Sequence, residues 1–208
     1  HAGFHHPVTS LKARLEIRGN LMFDQLQHEL GFSFKRVGII VAAFSYEEMK
    51  TVEQLYEQGV ANGVPLIEVC GRERMLMLEP KLNQDTVGGL YAPTGGIIEP
   101  YRYVFALVES AKRNGAVVKT DFEVVSAKHH DDMYTITSSR KESIQARHVI
   151  NAAGLFADEV SEIFGGEKFV ITPRKGEEYL LERNAAGFPN HVIFPVPSRV
   201  SKGILVIP

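Results

Sequence analysis

The spacing of apolar residues changes after Asn114 and Gly115, and this change constrains the fold more than any other feature of the chain. Before it, three long segments repeat apolar residues at helical spacing, with short strand-like runs between them. After it, successive segments have the composition of strands. The sequence contains no internal repeat and no flexible linker, so we expect two interleaved substructures.

Residues that favour helix termini delimit the predicted helices. The three long helices begin after Ser10, after Ser45 with Glu48 in a capping-box pattern, and at Pro100, and they end before Gly31, Gly63 and Gly115. Shorter helices are predicted at residues 72–78 and 155–164. The predicted helices therefore alternate along the chain with the strand-like runs.

The remaining apolar runs predict strands. They lie at residues 35–44, 66–69, 87–91, 116–119, 122–130, 133–138, 143–151, 170–173, 178–181, 192–196 and 204–207. Asp131 and Asp132 predict a hairpin turn between two of them. The resulting fold class is mixed α/β and α+β, with an antiparallel sheet flanked by helices.

Composition excludes several classes of function. The 208 residues contain 23 Lys and Arg against 25 Asp and Glu, a net charge of −2, which argues against a nucleic-acid partner. No apolar run approaches the roughly 18 residues of a transmembrane helix. The single cysteine, Cys70, permits no internal disulfide and no CxxC metal site. The non-methionine start and the apolar end at residues 203–208 predict that both ends are cut.

A strand-to-helix turn of small residues offers the clearest local chemistry. Residues 149–151 read as the end of a strand, and Ala152, Ala153 and Gly154 lead into a helix. Small residues there let backbone amides approach a nucleotide phosphate. A tight connection without a ligand has the same pattern, and a full Gly-x-Gly-x-x-Gly fingerprint is absent from the sequence.

Four motifs carry a resemblance to a known family. Residues 151–158 read N-A-A-G-L-F-A-D, residues 96–102 read G-I-I-E-P-Y-R, residues 173–179 read P-R-K-G-E-E-Y, and S-L-K-A at 10–13 follows H-A-G at 1–3. Together they resemble the D-amino-acid oxidase/glycerol-3-phosphate dehydrogenase superfamily of FAD-dependent oxidoreductases. The E-P-Y-R spelling and P-V-P-S at 195–198 lean toward the glycerol-3-phosphate dehydrogenase-like branch. Phe156 stands where the family pattern has Trp.

The resemblance implies that the chain is the central part of a longer enzyme. In that family a Gly-x-Gly-x-x-Gly turn precedes the H-A-G segment and a further flavin segment follows the last strand, and neither is in this sequence. We therefore expect FAD in the full-length protein and only weak FAD binding by these residues alone. The implied division is a substrate-binding region at 1–98, part of a Rossmann-like FAD-binding region at 99–166, and the second part of the substrate-binding sheet at 167–208.

The resemblance also implies the cofactor residues. Carried over by position, they are Ala2, Gly3, Val124, Ala152, Ala153 and Gly154. Val124 would lay its backbone against the adenine, although a valine in a buried strand is also expected to pack in a core. Asp158 at the helix start is better explained by the helix dipole than by ligand binding.

Substrate binding and catalysis are assigned in the same way. The resemblance places His1 near the flavin, where its imidazole could act as a general base toward a substrate hydroxyl. Arg174 and Lys175 suit an anionic substrate, with pairing to Glu177 or Glu178 at the surface as the alternative. Further lining candidates are Tyr101, Arg102 and Tyr179. His1, His5 and His6 could instead form a metal site or a solvated loop; the loop is favoured, and we predict no metal.

These inferences predict an FAD-dependent oxidoreductase that oxidises a small hydroxylated anion, with glycerol-3-phosphate as the first candidate. An L-2-hydroxyglutarate or other 2-hydroxyacid oxidase is the alternative on the same fold, and a non-catalytic binding or assembly module is the alternative of another class. The expected partners are the small anionic substrate and an electron acceptor of the full-length enzyme. We expect a cytoplasmic location, with peripheral attachment to the inner membrane through the rest of the enzyme as a variant.

Overall fold

The computed structural model describes residues 1–182, 187–198 and 203–208, and these residues form two compact units. The first unit comprises residues 1–115 and 181–208, and the second comprises residues 116–180. The helices are α1 (Leu11–Leu30), α2 (Tyr46–Asn62), α3 (Arg72–Leu78), α4 (Pro100–Arg113) and α5 (Ala157–Ile163). The strands are β1 (Phe34–Lys35), β2 (Ile39–Ala43), β3 (Glu68–Gly71), β4 (Gly88–Ala92), β5 (Ile97–Ile98), β6 (Val124–His130), β7 (Met133–Ser138), β8 (Ser143–Ala146) and β9 (Val192–Pro195).

A four-stranded sheet organises the first unit. Its order is β3-β4-β2-β9, with β2 antiparallel to β4 and parallel to β9. All five residues of β2 are buried, as expected for a central strand covered on both faces. One face packs against the N-terminal segment and α2, through residues such as Phe4, Val41 and Val52. The other packs against α3 through residues such as Ile40 and Met75.

The predicted caps form as expected. The Ser10 hydroxyl accepts a hydrogen bond from the Ala13 amide at 3.2 Å, and Gly31 ends α1 in the left-handed conformation with φ 72°. The Ser45 hydroxyl accepts from the Glu48 amide at 3.1 Å. These contacts explain why the termini of α1 and α2 lie where the sequence predicts them.

Gly38 divides the strand predicted at residues 35–44 into β1 and β2, which belong to different sheets. Its φ is 76°, and a Cβ there would lie 2.8 Å from the Tyr91 ring and 3.0 Å from the His191 ring. Only glycine accepts both constraints without strain. The bend brings β2 into register between β4 and β9.

The second unit is built on a three-stranded antiparallel sheet in the order β6-β7-β8. Asp131 and Asp132 have φ of 46° and 61°, as in a type I′ hairpin turn, so the predicted turn between β6 and β7 is confirmed. Ile136 and Ser138 are its buried residues. Many other apolar side chains of this unit are exposed, among them Val117, Ile150 and Leu180.

Several predicted strands are wrong. Residues 116–119, 170–173 and 178–181 form no strand, and the strand predicted at 143–151 ends at Ala146. The run at 204–207 is reduced to one bridge between Val206 and Ile193. The helix predicted at 155–164 starts as a 3₁₀ turn, Gly154–Phe156, before α5. Strand composition is insufficient because a strand also needs a partner for its backbone groups.

The mixed α/β and α+β class itself is confirmed by the helices and by the parallel and antiparallel pairs. Within the described ranges, no helix is long and apolar enough to cross a membrane.

Candidate functional site

The N-terminal segment, residues 1–6, is packed into the first unit. Ala2 and Phe4 are fully buried in the core beside the sheet. Gly3 has φ 98°, and a Cβ at this position would collide with Ile17 of α1. Two of the predicted cofactor residues, Ala2 and Gly3, are therefore closely surrounded by protein, and their small size is needed for packing.

A polar network fixes the position of His1. The Asn20 amide donates from Nδ2 to the His1 carbonyl at 2.7 Å and to the Thr94 carbonyl at 2.9 Å. Arg36 donates to the Thr94 carbonyl at 2.6 Å and to Asn20 Oδ1 at 3.0 Å, and it also pairs with Asp24. Asn20 is buried, so these bonds hold the start of the chain against α1.

The side chains of His1 and His6 face one carboxylate. His6 Nε2 lies 3.4 Å from Glu16 Oε2, and His1 Nδ1 lies 3.9 Å from Glu16 Oε1. The side chain of His1 is 70% exposed and that of Glu16 is 15% exposed. The arrangement can stabilise a proton on either imidazole.

The His5 side chain packs against aromatic rings and is not part of a solvated loop. Its ring packs against Phe4 with 4.1 Å between ring centroids and against Phe194 with 5.4 Å. Asn62 of α2 donates to the carbonyls of Gly3 and His6 at 3.0 and 2.9 Å, which fixes this stretch further. The described residues hold no cluster of His, Cys, Asp or Glu suited to a metal ion.

Tyr101 and Arg102 lie in the first turn of α4, at the surface of the first unit. Arg102 Nε pairs with Glu99 Oε2 at 3.1 Å. Tyr101 is exposed. Both side chains are accessible, as a lining role requires.

The small-residue turn lies in the second unit. Asn151 closes it, because its Oδ1 accepts from the Ala153 amide at 3.2 Å and its Nδ2 donates to the Ala157 carbonyl at 2.7 Å. Ala152 and Gly154 are exposed, Gly154 has φ 60°, and no atom lies within 4 Å of a Cβ built on it. The turn therefore presents open backbone without side-chain obstruction and fits the approach of a nucleotide cofactor.

Asp158 has a structural explanation. Its Oδ2 accepts from the Ile171 amide at 2.9 Å, and this backbone hydrogen bond lowers the pKa of the carboxyl below its usual value. The bond anchors the chain that leaves α5. Val124, the first residue of β6, is half-buried and lies opposite Ser138.

Arg174, Lys175 and Tyr179 are exposed residues of an irregular segment. Lys175 Nζ pairs with Glu177 Oε1 at 2.8 Å, one of the two surface pairs considered from the sequence. Arg174 has no hydrogen bond or ion pair within the described residues, so its guanidinium is available to an anion.

Sequence reasoning missed a buried carboxylate at the end of α3. Glu79 is 0% exposed and accepts at Oε1 from the Asn190 amide, the His191 amide and His191 Nδ1, each at 2.7 Å. Asn190 Nδ2 reaches Oε2 at 3.3 Å. The signal available in the sequence was a charged residue between Leu78 and Pro80, inside an otherwise apolar stretch. Glu16 was missed because helical spacing alone does not show that His1 and His6 approach it.

A cleft of about 620 Å³ opens in the second unit, and it was not predicted. Tyr134 and Phe164 form its aromatic part, with 5.6 Å between their ring centroids, and Arg147 and His148 also line it. Of the predicted site residues, none lines this cleft.

Comparison with known proteins identifies the family to which the chain is similar. The family model described as FAD dependent oxidoreductase matches residues 1–208. A glycerol 3-phosphate dehydrogenase of Caloramator mitchellensis is 42% identical over 208 residues, covering 100% of this chain and 43% of the relative. Human mitochondrial L-2-hydroxyglutarate dehydrogenase is 28% identical over 212 residues, covering 95% of this chain and 45% of the relative.

A solved structure agrees in fold. The dithionite-reduced L-α-glycerophosphate oxidase of Mycoplasma pneumoniae with FAD bound superposes with a TM-score of 0.83 at 26% identity, over 100% of this chain and 56% of that one. The chain thus spans about half the length of the relatives it matches. Since the family model covers every residue, the chain belongs to the family of FAD-dependent oxidoreductases.

Proposed function

We propose that this chain is the central part of an FAD-dependent enzyme that oxidises glycerol-3-phosphate. The observation that carries the proposal is the 42% identity to a glycerol 3-phosphate dehydrogenase over the whole chain. The identity to human L-2-hydroxyglutarate dehydrogenase is 28%. The similarity of fold to an FAD-bound glycerophosphate oxidase supports the same substrate class.

The second unit supports the proposal that further polypeptide completes the protein. Val117 is 84% exposed and Ile150 is 90% exposed, and both lie in irregular segments without strand partners in the described ranges. Burying a large aliphatic side chain contributes about 1.5–3 kcal/mol, so such segments favour a covering strand. The relatives, of which this chain spans about half, have the additional length to supply it.

FAD would be held jointly by this chain and the rest of the enzyme. Ala152, Ala153 and Gly154 would let the adenosine-diphosphate part approach the backbone, and the backbone of Val124 would face the adenine. Ala2 and Gly3 would support the flavin side by shaping the segment that carries His1. When bound, FAD supplies a two-electron acceptor.

His1 would act as the general base, and basic residues would bind the substrate anion. The proton of the substrate hydroxyl would pass to the His1 ring, because imidazole is a side chain suited to general-base catalysis. Arg174 and Lys175 would neutralise the phosphate, with Tyr101, Arg102 and Tyr179 as lining residues. The electron acceptor, the implied functional regions and a cytoplasmic or membrane-peripheral location stay predictions.

Substrate-dependent flavin reduction tests the function. In the flavin-containing enzyme that includes these residues, glycerol-3-phosphate should bleach the oxidised flavin, and L-2-hydroxyglutarate should do so far more slowly. The reverse order would favour the alternative supported by the L-2-hydroxyglutarate dehydrogenases among the relatives. Stable FAD binding without reduction by either compound would favour a non-catalytic module.

Replacement of His1 tests the assigned base. His1→Gln should lower the rate of flavin reduction by about two to four orders of magnitude, the usual contribution of a general base. FAD binding should persist, as measured by the flavin absorbance that remains with the protein. A rate within about threefold of the wild type across neutral pH would contradict the assignment.

A further inference from the structure

Glu16 is a partly buried carboxylate, and one of its two oxygens accepts no hydrogen bond. Its side chain is 15% exposed, and Oε2 is buried without a hydrogen-bond partner. Buried polar atoms in proteins are nearly always satisfied, so this one calls for an explanation. In the described part of the chain, the groups paired with it are the imidazoles of His1 and His6.

The partners determine what the carboxylate can do. An imidazole carries a positive charge only when it is protonated, so the ion pair exists only while His1 or His6 holds an extra proton. A carboxylate removed from water without a permanent cation favours that protonated state. Glu16 is therefore placed to stabilise a proton that arrives at His1, and the groups paired with it among the described residues are the imidazoles of His1 and His6.

The geometry keeps the carboxylate and His1 together. Glu16 and Asn20 lie one turn apart on the same face of α1. Asn20 holds the His1 carbonyl at 2.7 Å, while Glu16 Oε1 faces His1 Nδ1 at 3.9 Å. Nδ1 of the ring is turned toward the protein, and Nε2 is the nitrogen that can serve a substrate.

The other charged group nearby is already engaged. Arg36 approaches from the strand side of α1 and donates to Asn20, Asp24 and Thr94. His6 faces the second oxygen of Glu16 from the same N-terminal segment as His1, with its carbonyl held by Asn62 of α2. Among the described residues, the imidazoles that pair with Glu16 are thus those of His1 and His6.

We propose that Glu16 is a positioning residue that orients His1 and stabilises its imidazolium, an inference that rests on the proposed function. In the proposed oxidation, the substrate carbon would lose its hydrogen with two electrons, for which bound FAD would be the acceptor, and the hydroxyl proton would pass to His1 Nε2, leaving a ketone. Glu16, whose Oε1 lies 3.9 Å from Nδ1, would favour the other ring proton on Nδ1 and would attract the positive charge that forms on the ring. This is the role of a carboxylate behind a histidine base.

The kinetic test compares Glu16→Gln with Glu29→Gln, an equal change of charge at an exposed residue of the same helix. In the flavin-containing enzyme, Glu16→Gln should lower the rate constant of flavin reduction by about 10–100-fold, the usual effect of losing such a partner, with KM within about threefold. The rising limb of the rate against pH should move to lower pH, because the imidazolium is no longer stabilised. Glu16→Asp should recover part of the rate, and Glu29→Gln should match the wild type.

A structural readout is independent of activity. Nitrogen-15 NMR of the 208-residue chain reports which ring nitrogen of each neutral histidine carries the proton. In the wild type, Nδ1 of His1 should carry it, and Glu16→Leu should shift the proton toward Nε2. Glu29→Leu should leave the His1 tautomer unchanged.

The outcomes separate the two proposals. If His1→Gln abolishes reduction while Glu16→Gln behaves like Glu29→Gln and the His1 tautomer is unchanged, this inference is overturned and the base assignment stands. If His1→Gln itself leaves reduction unchanged, both are overturned. Loss of rate, a displaced pH profile and a changed tautomer in the Glu16 variants together support the inference.

Discussion

Removing the carboxylate of Glu79 should destabilise the first unit more than any surface change of charge. Glu79→Ala leaves the amides of Asn190 and His191 and the His191 ring without the acceptor they share at 2.7 Å. Hydrogen bonds to a charged group contribute about 1.5–3 kcal/mol each, and each buried donor left without an acceptor costs about 1–3 kcal/mol. Because the three bonds share one oxygen they are not additive, so we expect about 3–5 kcal/mol.

The assay is urea unfolding of the 208-residue chain followed by far-ultraviolet circular dichroism. Glu79→Ala should lower the urea midpoint at an unchanged slope, and Glu79→Gln, which keeps the volume and one acceptor oxygen, should cost less. Glu53→Ala, at an exposed position of α2, is the matched control and should change stability by no more than about 0.5 kcal/mol. A Glu79→Ala midpoint equal to that of the control would refute the reasoning, because the carboxylate would then not hold the segment before β9.

Three further predictions concern the cofactor, the substrate and the thiol. The 208-residue chain purified alone should be colourless and bind FAD weakly; a stoichiometric yellow preparation would show that it needs no further polypeptide. In the flavin-containing enzyme, Arg174→Ala or Lys175→Ala should raise KM for glycerol-3-phosphate about tenfold or more, whereas the surface control Lys168→Ala should not. An unchanged KM in both variants would show that neither side chain binds the substrate. Burial, followed by the nearby Glu68 charge, raises the pKa of Cys70 from 9.0 to about 12, so the native thiol should resist a disulfide reagent at neutral pH. The stability linked to the thiol should be fully present below pH 9 and decline between pH 9 and about 12. The Cys70→Ala chain should show a smaller decline than the wild type, and rapid labelling of the folded wild type would contradict the burial.

The parts of the fold set by local signals were predictable. Ser10 and Gly31 delimit α1, and Ser45 with Glu48 starts α2, because each cap satisfies backbone groups a few residues away. The hairpin at Asp131 and Asp132 is equally local. Such signals need no knowledge of distant residues.

The parts that depend on distant partners were not predictable. The parallel pair of β2 and β9 joins residues that are remote in sequence, and no composition rule states that Ile40 lies opposite Ile193. Residues 116–119 are as rich in valine as a true strand, yet they pair with no strand among the described residues. The family motifs predict a cofactor role for the turn at residues 152–154, which stays a prediction, whereas the contacts of Glu16 and Glu79 arise only when α1 and α3 pack against other segments.

The turn at residues 152–154, which is predicted to approach the flavin, lies beside a segment that pairs with no strand among the described residues. The turn at residues 152–154 follows directly on residues 147–151, an irregular segment that, within the described chain, no neighbouring strand holds in place. A ligand that must itself order such a turn loses affinity, because the cost of ordering is subtracted from the free energy of binding. Polypeptide that pairs with residues 147–151 would cover Ile150 and fix the turn in the same step. Flavin affinity and the stability of the second unit should therefore rise together, since a ligand that binds only the ordered form stabilises that form.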